Sequence, residues 1–311
     1  MSKITRRKFL AGSMAGGAAI AMAPTKKAFG ANLGGFPDGM GVLVDMTRCV
    51  GCRSCEAACN KEQNLPEPDK SFDDYSVFDE RPHGQHRRPT EKAYTVVNRY
   101  DQADGEKIYR KIQCNHCNEP ACLTSCFVNA YKKTPEGAVT YNDKVCVGCR
   151  NCMVACPFNI PAFSYSSAFN PIIKKCIFCY ETRIKNGQTP ACVEICPQQV
   201  MIFGKRQELI KTAHDRMRRN PGKYVDTLYG DKEVGGTGWL YLSHVPFKEA
   251  GFNVSLQNEP IINNVKDFLA IVPMVLAIFP ALFTGFHLLA TKGKSHGHAD
   301  DHSHDGQEGH E

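Results

Sequence analysis

Four scarcities narrow what this chain can be. The sequence holds a single tryptophan, Trp239, in 311 residues, and a lone indole is read as core packing rather than an electron relay. Residues 1–30 contain six Lys or Arg and no acid, so the formal net charge of +6 (38 basic against 32 acidic residues) belongs to that segment. Without it the count is 32 against 32, and the basic total is no argument for a nucleic-acid partner. The 23 residues from Phe268 to Ala290 lack Asp, Glu, Lys and Arg altogether, which excludes a solvated polar helix there. Finally, no cysteine is left over once four groups are drawn, and no histidine or carboxylate pair stands beside a substrate-binding motif. A catalytic site of the chain's own is therefore not expected.

What the sequence does have is sixteen cysteines in four sets of four. The first is Cys49, Cys52, Cys55 and Cys59, within C-V-G-C-R-S-C-E-A-A-C. The second is Cys114, Cys117, Cys122 and Cys126, and the third is Cys146, Cys149, Cys152 and Cys156, followed by Pro157. The fourth, Cys176, Cys179, Cys192 and Cys196, ends at Pro197. The third set matches the bacterial ferredoxin run C-x2-C-x2-C-x3-C-P, the spacing that holds a cubane iron–sulfur cluster. A disulfide framework and zinc are the competing uses of so many cysteines. Neither accounts for four thiols gathered in each of four short stretches. Four 4Fe-4S clusters and an electron-carrying role are expected.

The spacing also predicts which cysteines share a cluster. Three thiolates in a tight loop reach three corners of a cube. Gly51 and Gly148 let the backbone pass where a side chain would obstruct it. The fourth cysteine is expected beyond the loop on a short helix, ligating the other cluster of a two-cluster unit. Sets two and three begin 32 residues apart, about one ferredoxin unit, whereas sets one and four flank them. The expected quartets are Cys49, Cys52, Cys55 with Cys196, and Cys59 with Cys176, Cys179 and Cys192. The inner quartets are Cys114, Cys117, Cys122 with Cys156, and Cys126 with Cys146, Cys149 and Cys152. The expected fold class is α+β, two nested ferredoxin-like two-cluster units plus one C-terminal transmembrane helix. At roughly −2 per cluster, about −8 in all, the bound chain needs cations near its ligands. Arg48, Arg53, Arg110, Lys111, Lys144, Arg150, Lys174 and Lys175 are the candidates.

The ends of the chain give the address. Thr5-Arg6-Arg7-Lys8-Phe9-Leu10, with the small-residue stretch Ala11 to Ala23, reads as a twin-arginine signal cleaved near Ala28-Phe29-Gly30-Ala31. That route moves folded proteins, which suits clusters assembled in the cytoplasm. The uncharged run Phe268–Ala290 is long enough to cross a bilayer, and Pro273 and Pro280 are tolerated in membrane helices. Lys292 and Lys294 follow it directly, so the C-terminus is expected in the cytoplasm and the cluster domain on the periplasmic side. His287, near the cytoplasmic end, is read as an interfacial histidine. The tail after the span, with five of the eleven histidines, is read as solvated. The expected organisation is a signal at 1–30, a four-cluster domain at 31–200, a peripheral extension at 201–264, an anchor at 265–291 and a tail at 292–311. Strands are expected at Ala93–Tyr100, Ala138–Tyr141 and after the turn Gly235–Gly238, with a helix over Lys205–Arg219.

Signal, four cysteine groups, the V-G-G-T segment, single span and acidic His-rich tail together resemble the four-cluster electron-transfer subunits of membrane-bound oxidoreductases, of the hydrogenase-2 HybA type and of formate dehydrogenase. The most specific stretch is C-V-G-C-R-N-C-M-V-A-C-P-F-N-I-P, Cys146–Pro161. The resemblance implies a periplasmic wire on the bacterial inner membrane, used in anaerobic respiration. Its implied partners are catalytic hydrogenase, or alternatively formate dehydrogenase, subunits and an integral-membrane quinone-reactive or cytochrome subunit. Phe127 departs from the pattern, which often has Pro after the second set's last cysteine. The chain's own signal favours the hydrogenase reading.

Overall fold

The computed structural model describes residues 39–80, 85–165 and 172–292. The expected signal, with Arg6 and Arg7, and the tail after Lys292 lie outside the described residues. The chain divides into one compact unit, Ala31–Asn264, and a second that holds Val265–Glu311.

Strand β1 (Met40–Asp45) ends just before the first cysteine, and helix α1 (Ser54–Glu62) carries Cys55 and Cys59. The hairpin of β2 (Val96–Asp101) and β3 (Lys107–Ile112) delivers the chain to the second group, whose short helix is α2 (Ala121–Thr124). A second hairpin, β4 (Tyr131–Lys133) and β5 (Val139–Tyr141), precedes the third group and α3 (Asn151–Ala155). The two-residue strands β6 (Ala162–Phe163) and β7 (Ile173–Lys174) lead to the fourth group, with α4 (Ala191–Glu194). Then follow β8 (Met201–Lys205), α5 (Arg206–Arg219), β9 (Trp239–Leu242) and α6 (Asn263–Lys292).

The largest sheet is built from the two ends of this unit. β1 lies between β8 and β9, antiparallel to the first (Val42 opposite Phe203) and parallel to the second (Val42 opposite Trp239). A central strand covered on both faces reads as an unbroken apolar run, and Val42, Leu43 and Val44 are all buried, as are all four residues of β9. Helix α5 covers one face, its Leu209 and Ala213 packing with Leu43, Leu240 and Leu242. Trp239 is fully buried in the core on the opposite side. Asp45, at the end of β1, accepts from Thr47, Arg216 and Tyr224 (2.7, 3.3 and 2.9 Å) and ties the first cysteine loop to the extension.

The helices pair across the chain: α1 packs on α4 and α2 on α3. Helix α1 is held by Glu56, a buried carboxylate that accepts from Arg53 (3.1 Å), Arg87 (2.6 Å) and the Val97 N–H (2.5 Å). That network fastens the first cysteine helix to β2. In the second unit, α6 runs through Pro273 and Pro280. Its stretch Ile271–Thr291, mean hydropathy 2.0, is the one helix among the described residues long and apolar enough to cross a membrane.

Candidate metal centres

Each cysteine loop is shaped by one backbone rule. The residue two beyond the first cysteine is left-handed in all four groups: Gly51 (φ 71°), His116 (φ 47°), Gly148 (φ 68°) and Phe178 (φ 64°). That conformation turns successive thiols inward and aims backbone N–H groups at sulfur. Gly51, Gly148 and Phe178 donate to Cys49, Cys146 and Cys176, the last two at 3.4 Å. A second left-handed residue follows three of the fourth cysteines, at Asn129, Asn159 and Gln199. It brings the N–H groups of Ala130, Ile160 and Val200 onto Cys126, Cys156 and Cys196. The cradle is close-fitting: a Cβ on Gly51 would stand 2.3 Å from the ring of Tyr109.

Long-range packing then brings the groups together. Cys49, Cys52, Cys55 and Cys196 line one cavity with Val44, Tyr109 and Lys111. Cys59 faces Cys176, Cys179 and Cys192. Cys117 and Cys122 lie against Cys114 and Cys156, and Cys152 lies against Cys146, Cys126 and Cys149. Neighbouring sets lie within electrostatic range of each other, Cys55 of Cys192 and Cys176 of Cys114. One expectation needs correcting. The third cysteine sits on the short helix in every group, but the fourth does so only as Cys59; Cys126, Cys156 and Cys196 come just after helices of four or five residues. Those helices are too short to carry both.

The donor set suits a metal cluster. All sixteen cysteines are free thiols. Burial pushes the thiols of Cys49, Cys156 and Cys179 up to about 11 and that of Cys176 to about 12, so a Lewis-acidic partner is needed to hold them as thiolates near neutral pH. Among the described residues no three such side chains converge on a point that would hold a single ion.

The cations are fewer and deeper than proximity in sequence implied. Arg53 is spent on Glu56, Arg48 on the Gln199 carbonyl, Arg110 on the Ala250 carbonyl and Lys174 on Asp143. Lys111 and Lys175 alone among the eight expected are buried lysines. Burial would lower the pKa of Lys111, but Cys192, Cys55, Cys176 and Cys59 outweigh it and raise it. Its ammonium lies 4.6 Å over the Trp239 ring and donates to Gln113 (3.0 Å). Lys175 donates to the carbonyls of Val139 (2.5 Å) and Cys176 (3.0 Å). Lys133, which its place in the sequence did not single out, donates to the carbonyls of His116 (2.9 Å) and Gly137 (2.7 Å) and lies near Cys117 and Cys114. His116 was also missed. Its signal was a histidine set between two ligands, in C-N-H-C. The extension earns a role as well: Gly238 N–H donates to the Asn115 carbonyl (2.9 Å) and Asn118 N–H to the Gly236 carbonyl (3.0 Å), clamping the second cysteine loop. Phe127 is 68% exposed and packs nothing inward.

Fold and site define a multicluster iron–sulfur electron-transfer protein. The 4Fe-4S dicluster domain family matches residues 106–206. A protein of Nitratidesulfovibrio vulgaris is 48% identical over 293 residues, covering 92% of this chain and 77% of its own. The hydrogenase-2 operon protein HybA of Escherichia coli O157:H7 is 34% identical over 273 residues (79% and 82%). The formate dehydrogenase iron–sulfur subunit of Haemophilus influenzae is 31% identical over 279 residues (86% and 85%). The chain belongs to this family of HybA-type and formate dehydrogenase iron–sulfur electron-transfer subunits. Its cofactors are four 4Fe-4S clusters, a number its sixteen thiols match.

Proposed function

We propose that the chain is the electron-relay subunit of a membrane-bound periplasmic hydrogenase, joining a catalytic subunit to an integral-membrane quinone-reactive or cytochrome partner. The observation that carries the relay is the cavity lined by Cys49, Cys52, Cys55 and Cys196, thiols from opposite ends of the cluster domain brought to one place. The clusters supply one-electron redox chemistry, and the chain's residues hold, space and shield them. The quartets are Cys49, Cys52, Cys55, Cys196, then Cys59, Cys176, Cys179, Cys192, then Cys114, Cys117, Cys122, Cys156, and last Cys126, Cys146, Cys149, Cys152. They make up two nested ferredoxin-like units, the outer one closed by β1 and β8.

The hydrogenase assignment is supported by 34% identity to HybA, against 29% to the nitrate-inducible formate dehydrogenase subunit of Escherichia coli. Formate dehydrogenase is the second reading, favoured by the Haemophilus likeness. Export rests on Arg6 and Arg7, and anchoring on α6 with Lys292 and Lys294 after it. The domains follow: signal 1–30, cluster domain 31–200, extension 201–264, anchor 265–291, tail 292–311. Purification from solubilised membranes tests the whole reading. About sixteen irons and sixteen acid-labile sulfides per chain, with a hydrogenase large subunit bound, are expected. A molybdoenzyme in its place overturns the hydrogenase assignment, and a chain free of iron overturns the relay.

A further inference from the structure

We propose that His116 is a positioning residue that couples the inner cluster pair to the outer one, by placing an imidazole N–H on a ligand of the neighbouring quartet. This rests on the assignment of Cys114 and Cys176 to adjacent clusters. The backbone of His116 belongs to the second cysteine loop, between Cys114 and Cys117, while its ring reaches the fourth.

Three contacts fix that ring. Val139 N–H donates to Nδ1 at 2.9 Å, so Nδ1 is the acceptor and the proton resides on Nε2. Nε2 stands 3.5 Å from Cys176 Sγ, which makes the contact an N–H···S hydrogen bond. The ring also stacks on Phe178, two residues past Cys176, with centroids 4.7 Å apart and planes at 25°. Behind it, the His116 carbonyl accepts from Lys133 at 2.9 Å, and a Cβ on Gly238 would stand 3.2 Å from that oxygen. The residue is fully buried in a left-handed conformation that glycine occupies in the first and third loops.

A histidine in that place costs backbone strain and the burial of two ring nitrogens. Both nitrogens are satisfied, one by the inner unit and one by the outer. A hydrogen bond to a ligating thiolate stabilises the more negative, reduced state of its cluster and so raises the potential. The route from Cys114 through the His116 backbone and ring to Cys176 contains covalent bonds and a single hydrogen bond. No proton moves: Nε2–H stays on the ring, and the electron lost on one side is gained on the other.

The test is a potentiometric titration of the membrane-purified, full-length protein, followed by electron paramagnetic resonance. His116→Phe keeps a ring for Phe178 to stack on and removes the donor. His116→Gln keeps an N–H donor and removes the ring. With about sixteen irons retained, His116→Phe is expected to lower the midpoint of one cluster by a tenfold factor in its reduction equilibrium, about 59 mV for one electron. The other midpoints should stay in place, and His116→Gln should recover most of the shift. Unchanged midpoints in His116→Phe, or an equal drop in all four, overturn the proposal. Should His116→Phe lose iron, His116→Gln decides: a wild-type midpoint supports the donor role and a lowered one overturns it. Fewer than four clusters in the wild-type protein instead defeats the quartet reading beneath it.

Discussion

The first and third cysteine loops differ from the second and fourth at one backbone-critical position, besides the longer gap before the third cysteine in the latter two. Two residues past the first cysteine, the first and third loops carry Gly51 and Gly148 and the second and fourth carry His116 and Phe178, all left-handed. Glycine adopts that conformation freely, whereas a side chain there costs of the order of 1–3 kcal/mol. The first and third loops reach the surface: Val50 and Val147 are each more than half exposed, and Cys149 is exposed. In the second and fourth, His116 and Phe178 are buried and stack on each other. The left-handed turn at this position is thus common to all four loops, and a side chain takes it only in the second and fourth, where the two rings stack on each other.

That contrast can be broken by substitution. The largest effect is expected from Phe178→Ala. It vacates a ring packed against His116, Phe203 and Trp239, at a cost of about 3–5 kcal/mol. Denaturant unfolding of the cluster-loaded protein measures it; a loss no larger than that of a surface change would mean that the junction is not ring-filled. Gly51→Ala comes next, at roughly 1–3 kcal/mol from the positive φ alone, with displacement of Tyr109 added. Its expected sign is a lower melting temperature with the first cluster the earliest to bleach. Lys111→Met sharpens the comparison electrically. Removing a buried ammonium that faces Cys55, Cys59, Cys176 and Cys192 should lower the two outer potentials by about 59 mV each, tenfold for one electron, while the inner two hold. Equal shifts in all four would show that the charge acts at long range.

The smallest effect belongs to the rim of the α1–α4 pairing. Glu62 accepts from Arg183 at 2.8 Å, and the Thr182 hydroxyl, then Arg183, hold its carboxyl below the usual range. A depressed carboxyl stabilises the fold above its unfolded value near 4.3, and the contribution fades as pH falls through the folded value. Glu62→Gln should therefore cost about 0.5 kcal/mol near pH 7, and its stability curve should merge with the wild type's in acid. A constant gap down to low pH would assign the effect to packing instead.

Much of this was legible in the cysteines. Spacing alone delimited the four cysteine groups, because loop geometry is local, and each group does form a loop followed by a short helix. Local patterns also gave β5, β9 and α5, the last beginning at Arg206 rather than Lys205. The strand expected from Ala93 begins at Val96, because Thr90 and Ala93 pair with each other in a tight turn. What stayed hidden was set by distance along the chain. β1 has partners more than 150 residues away, so nothing nearby marks it as central. Arg53 looked like a counter-ion to a cluster until Glu56 and the carbonyls of Ser71, Phe72 and Asp74 claimed it. Lys133 and His116 act through backbone carbonyls and ring nitrogens that only the folded chain brings into place.

The pairing of β1 with β8 and β9 has a consequence for manufacture. A chain synthesised from its N-terminus exposes the first cysteine loop early, yet the strand that fixes that loop has no neighbour until residues 201–242 have left the ribosome. Such late, non-local closure is slow. The outer thiols therefore wait in an open chain while the inner pair, made from contiguous sequence, can be loaded first. The closing strand thus acts as a seal on the outer cysteine loops.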